Sequence, residues 1–189
     1  MMKIAVLGWG SLIWQPKDLK FDTNIGWKEN GPVLPIEFAR ISKDGRLTLV
    51  ITPNGTEVQT LYAVSSFDNL DLAVLNLKKR EGTVKENIGY YDKTKDEFSP
   101  IDFLFKESIK NWIQTTDFDA VIWTNLPENW EIRNEEKVVI KTIDPNDRIE
   151  YLQNLKGAES ALAEEYIRNT PKQIATTYRK QIIEVLGWD

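Results

Sequence analysis

The chain has 189 residues, is 41% hydrophobic and 28% charged, and carries a formal net charge of −5; this composition fits a single globular domain over residues 1–189 with an adequate core. No basic stripe is present to neutralise phosphates, so nucleic acid is not an expected partner. The sequence contains no cysteine and no histidine, which excludes disulfides, thiolate nucleophiles, Ser-His-Asp and Cys-His catalysis within one chain, and metal sites built on His or Cys.

The first sixteen residues read as a strand that stops in a glycine loop. Ile4, Ala5, Val6 and Leu7 form a short apolar run, followed by Gly8-Trp9-Gly10-Ser11-Leu12 and then Ile13-Trp14-Gln15-Pro16. A dinucleotide-binding fingerprint needs a third small residue and a helix that begins at the loop. Here the third position is Ile13, and Pro16 disfavours helical geometry at Gln15. A tight Gly-X-Gly-Ser loop after a strand instead exposes backbone amides, a nest suited to a carboxylate or a developing oxyanion. The bland alternative is a turn between core elements. Gly10 is expected either to take a positive φ or to bring the backbone close to a ligand. Lys3 precedes the apolar run, but the loop glycines and Ser11 interrupt it and no small-x-small pattern follows. No leader is therefore expected, no stretch is long enough to span a membrane, and the cytoplasm is the default location. The oligomeric state is not legible.

The middle of the chain follows strand grammar. Residues 33–42 are extended, Asp44-Gly45 is a turn signal, residues 46–52 alternate, Pro53-Asn54-Gly55 turns again, and residues 56–64 return as a strand. Two consecutive hairpins predict an antiparallel meander. A helix is expected from Ser65 or Ser66, with Asp68 completing a capping box on Ser65 and Gly82 as the C-cap. Tyr90-Tyr91 and residues 101–105 read as extended, residues 107–114 as a short helix, and residues 119–123 as a buried strand. Asp144-Pro145 starts a helix that Gly157 ends, a second runs over 158–168, and Thr170-Pro171-Lys172-Gln173 is a capping box for the last helix. The layout predicts an α+β fold, an antiparallel or mixed barrel-like sheet with helices outside.

Without histidine or cysteine, any general acid or base is Asp, Glu, Lys, Tyr, a terminal amine or the substrate. Glu81 is the candidate. It sits at a predicted helix C-terminus, where the macrodipole disfavours a carboxylate by about 0.3–1 kcal/mol, beside Lys78, Lys79 and Arg80. That placement favours retaining a proton; a solvated Glu paired with a nearby Lys is the bland alternative. An all-carboxylate magnesium or calcium site finds no supporting spacing, and no metal or cofactor is expected.

Gly8-Trp9-Gly10-Ser11-Leu12-Ile13-Trp14 resembles the N-terminal motif of the gamma-glutamylcyclotransferase superfamily, and the Ile-Trp continuation resembles its ChaC-like branch. That loop usually carries Tyr where this chain has Trp9, which keeps an aromatic wall but loses a phenol. Arg80-Glu81 followed by Gly89-Tyr90 is similar to the family's Arg-Glu pair and later Gly-Tyr, with longer spacing. Asp119-Ala120-Val121-Ile122-Trp123-Thr124-Asn125 and Ile149-Glu150-Tyr151-Leu152-Gln153-Asn154-Leu155 are similar to its late strand and late Glu-Tyr-Leu helix. The resemblance covers about the first 155 residues and leaves the final helix unplaced.

The resemblance implies release of 5-oxoproline from a gamma-glutamyl compound. Glu81 would be the acid/base, and Gly8, Trp9, Gly10, Ser11 and Leu12 would hold the glutamyl carboxylate or the oxyanion. Tyr90 and Tyr91 would line the pocket, and Arg40 would neutralise a substrate carboxylate or serve only at a strand surface. Trp14, Trp27, Trp123 and Trp130 are candidates for an aromatic mouth or for core. The partner is then a small gamma-glutamyl substrate, with no nucleic acid and no membrane. The rival expectation is a binding module of the same fold that holds an amino-acid-like ligand without turnover.

Overall fold

A computed structural model describes residues 1–189. The strands are β1 (Ile4–Gly8), β2 (Val33–Ile41), β3 (Leu47–Ile51), β4 (Thr56–Gln59), β5 (Leu61–Val64), β6 (Ile88–Asp92), β7 (Glu97–Ser99), β8 (Ala120–Thr124), β9 (Glu131–Arg133) and β10 (Val139–Thr142). The helices are α1 (Leu70–Glu81), α2 (Lys106–Gln114), α3 (Arg148–Asn154), α4 (Gly157–Asn169) and α5 (Thr177–Leu186). The fold is α+β. Its sheets run β5-β1-β8-β6-β7, β3-β2-β4 and β10-β9, and none closes on itself, so open sheets stand where a barrel was expected. No helix is long and apolar enough to cross a membrane. The chain divides into two compact units, Met1–Leu34 with Val58–Leu126 and Pro35–Glu57 with Pro127–Asp189. Each unit is assembled from two separated segments, so no linker marks the division in sequence.

In the first unit β1 runs parallel to β8 and antiparallel to β5, and β6 pairs antiparallel with both β8 and β7. One face of this mixed sheet packs Ile4, Val6, Ile88 and Ile122 against Ala73, Val74 and Leu77 of α1. The three α1 residues follow helical spacing, which aligns them on one stripe. The other face carries Tyr91 stacked on Phe98 at 4.2 Å, with Phe103 tilted against the fully buried Trp123 at 4.8 Å. Residues 101–105 are turns rather than an extended run, closed by the Phe103 amide donating to Pro100 O.

Helix α1 starts later than its capping-box signal. The Ser65 amide donates to Ile4 O and its hydroxyl accepts from the Phe67 amide, so Ser65 stays tied to the sheet. Asn69 is the N-cap, accepting from the Leu72 amide at 3.0 Å. The C-terminus is as expected: Gly82, at φ +61°, donates to the Lys78 and Lys79 carbonyls. The expected strand over 56–64 breaks at Thr60, whose hydroxyl and amide both donate to Pro32 O.

In the second unit β2 and β3 form the expected hairpin, with Phe38 opposite Leu49. Strand β4 lies on the other side of β2 instead of continuing the meander beside β3. Asp144 caps a 3₁₀ turn, Pro145–Asp147, that leads into α3. That helix ends before Gly157, which opens α4 instead. The last helix is capped by Thr176, not Thr170. Thr176 Oγ1 accepts from the Arg179 amide at 3.1 Å, whereas Thr170 Oγ1 donates back to Tyr166 O at the end of α4. Thr176 also donates to the buried Glu37 carboxylate at 2.5 Å, which accepts in addition from Thr56 Oγ1 and from the Phe38 and Tyr178 amides. A carboxylate thus sits at the N-terminus of α5, where the helix dipole favours it.

Candidate active site

Strand β1 delivers the chain into a turn. The Ile13 amide donates to Gly10 O at 3.0 Å and the Gln15 amide to Ser11 O at 2.8 Å. The amides of Gly10, Ser11 and Leu12 donate to no acceptor within the protein. Amides left without an internal acceptor are what an anion-binding nest requires. Gly8 has a packing reason: a Cβ there would lie 2.6 Å from Cζ3 of Trp27. Gly10 is not among the glycines with positive φ, so that half of its expectation fails. Trp9 and Leu12 are each 5% exposed.

Glu81 ends α1 beside this turn. Arg80 Nη1 donates to Glu81 Oε1 at 2.6 Å, while Nη2 donates to Gln15 O at 2.7 Å and to Ser11 Oγ at 3.3 Å. One guanidinium therefore holds the carboxylate and both ends of the turn. The two side chains are only 6% and 13% exposed, so this is a largely dehydrated pair rather than the solvated Glu–Lys pair of the bland alternative. Arg80 Nε is buried without an acceptor. A second tie lies one turn earlier on α1, where Asn76 accepts from the Lys20 amide and donates to Asp18 O. Through Arg80, 69 residues from Ser11 in sequence, the loop and the carboxylate are joined in the first unit.

Tyr90 and Tyr91 alternate across β6, so they serve opposite faces. Tyr90 packs on the α1 side and donates to Glu97 at 2.7 Å. That hydrogen bond, followed by burial, pushes its phenol up to about 12. Tyr91 stacks on Phe98 and donates to Asp96 at 2.9 Å; burial, followed by that bond, pushes it up to about 12. Only Tyr90 shares a face with the helix that carries Glu81. Gly89 is required by Trp123, its cross-strand partner, because any Cβ would collide with the indole.

Arg40 belongs to the second unit, where its Nη1 donates to Pro127 O at 2.7 Å. Burial lowers its pKa from the ordinary guanidinium value. Trp123 is core, fully buried. Trp27 packs beside Gly8 and Phe21, and Trp130 lies in the second unit with the Arg148 guanidinium over its ring at 4.9 Å. No group of three or more Asp and Glu side chains gathers as metal ligands would.

Arg80 is the residue to which sequence reasoning gave no role. Its signals were its place in the Arg80-Glu81 pair of the resemblance and adjacency to Glu81, and neighbours on a helix do not ordinarily face each other. Comparison with protein-family models, curated proteins and solved structures finds no match to this chain.

Proposed function

We propose that the protein is a gamma-glutamylcyclotransferase-like enzyme that releases 5-oxoproline from a gamma-glutamyl compound. The observation that carries this is the single guanidinium joining Glu81 to a turn with three unspent amides. In this chemistry the nucleophile belongs to the substrate. The α-amine attacks the γ-carbonyl carbon, a five-membered lactam closes, and the C–N bond to the departing amine breaks. A carboxylate takes the proton shed by the attacking nitrogen and returns one to the leaving amine. Amides at the turn stabilise the substrate carboxylate or the oxyanion, and folding the glutamyl chain into a near-attack conformer supplies the orientation term. None of these steps calls for histidine, cysteine or a cofactor.

A binding module without turnover is the second reading. It is favoured by the buried Trp9 at the position where the resembled motif carries a phenol. The deciding experiment incubates the protein with glutathione, gamma-glutamyl amino acids and gamma-glutamyl-lysine and follows 5-oxoproline by mass. Release from at least one compound is expected. No release from any of them, together with ligand binding that depends on Glu81, supports the binding module.

A further inference from the structure

We infer that Arg80 is the positioning residue of this site, fixing the Glu81 carboxylate against the 9–15 turn; the inference rests on Glu81 being the proton carrier. A guanidinium is a planar fork whose nitrogens address different partners at fixed angles. Here Nη1 takes Glu81 Oε1, and Nη2 takes Gln15 O and Ser11 Oγ. A lysine ammonium is a point donor on a flexible stem and does not reproduce that fork. Glu81 Oε1 accepts from Nη1, so proton exchange with substrate is assigned to Oε2. Arg80 is 6% exposed, and its Nε is buried with no acceptor within the protein.

If Arg80 acts only through Glu81 and the turn, its loss lowers kcat and leaves substrate affinity nearly alone. The test uses the full chain and the compound turned over fastest. The variants are Arg80→Lys, Arg80→Gln, Glu81→Gln and the Arg80→Gln/Glu81→Gln double variant. Misplacement of a catalytic group by an ångström costs on the order of 10²-fold, so each Arg80 variant is expected to lose about 10- to 100-fold in kcat with KM close to wild type. The double variant is expected to be no slower than Glu81→Gln, because residues acting as one unit are not additive. Wild-type kcat in Arg80→Lys, a loss expressed in KM, or additive losses in the double variant each overturn the inference while leaving Glu81 in place. Absence of turnover in the wild-type protein overturns the reading of Glu81 and this inference with it. Should the Arg80 variants fail to fold, Ser11→Ala removes one arm of the fork while keeping the backbone amide. A fall in its kcat at constant KM supports the tie, and unchanged kcat and KM overturn it.

Discussion

Glu81 stands out in the sequence as a carboxylate in the last turn of a helix, among Lys78, Lys79 and Arg80, where it runs against the macrodipole; its proposed role comes from the resemblance of Arg80-Glu81 to a family motif. What held it there was not visible, since the contacts of Arg80 reach back across 65 and 69 residues and local patterns carry no such information. Glu81→Gln preserves size and loses the base. Turnover is expected to fall by about 10²–10⁴-fold with little change in ligand affinity; full turnover in that variant would remove Glu81 from the mechanism. In the wild type, rate should rise with pH as the substrate ammonium loses its proton. The glycines separate packing from chemistry. Gly8 and Gly89 each lie against an indole that a Cβ would strike, so Gly8→Ala should cost about 1–3 kcal/mol in urea unfolding by overpacking. Unchanged stability in that variant would mean that Trp27 moves aside freely.

Elements written by local chemistry were legible. The β2–β3 hairpin follows from Asp44-Gly45, the end of α1 from Gly82, and the turn before α3 from Asp144-Pro145. Elements decided by distant hydrogen bonds were not. Ser65 offers a plausible cap but is held in the sheet by Ile4 O, and Thr170 offers another but closes α4. The start of α5 is set by Thr176, which donates to a carboxylate 139 residues earlier on β2. The sequence hint was Glu37, a carboxylate set between Ile36 and Phe38 in β2. Thr176→Val removes an N-cap, at about 1 kcal/mol, and leaves the buried Glu37 one donor short, at about 1–3 kcal/mol. Thr170→Val removes only a single hydrogen bond to Tyr166 O. Urea midpoints should therefore fall further for Thr176→Val. Equal losses in the two variants would mean that Glu37 does not anchor the final helix.

At the scale of the whole molecule, the division into two units escapes a linear reading because each unit draws on two segments of chain. The α+β class survives that weaving because it depends only on which elements exist, whereas strand order and closure depend on where each returning segment lands. Composition also shapes the response to pH across both units. With no histidine and no cysteine, no side chain has an ordinary pKa between about 5 and 8, so stability should be nearly flat there. At the acid end, burial pushes Asp92 and Asp44 up. For Asp92, hydrogen bonds from Thr94 and Lys95 outweigh it, and for Asp44, bonds from Arg46 and Ser42 do; both end below the ordinary 3.8. Stability from these groups is present above pH 3.8 and is lost as pH falls through their depressed values. At the alkaline end Tyr90 and Tyr91 in the first unit and Tyr151 in the second are all pushed up to about 12. Between their ordinary value of 10.0 and about 12 the folded chain keeps protons that the unfolded chain has released, so stability declines as pH rises through that window. For Tyr151 the largest cause is burial, followed by the charges of Glu159 and Asp44, and its hydroxyl donates to Gly45 O at 2.6 Å. Tyr151→Phe should lower stability at neutral pH by about 1 kcal/mol for the lost hydrogen bond and make the alkaline decline shallower. Urea midpoints measured from pH 5 to 12 on both proteins test this, and parallel curves above pH 10 would show that Tyr151 does not titrate with unfolding.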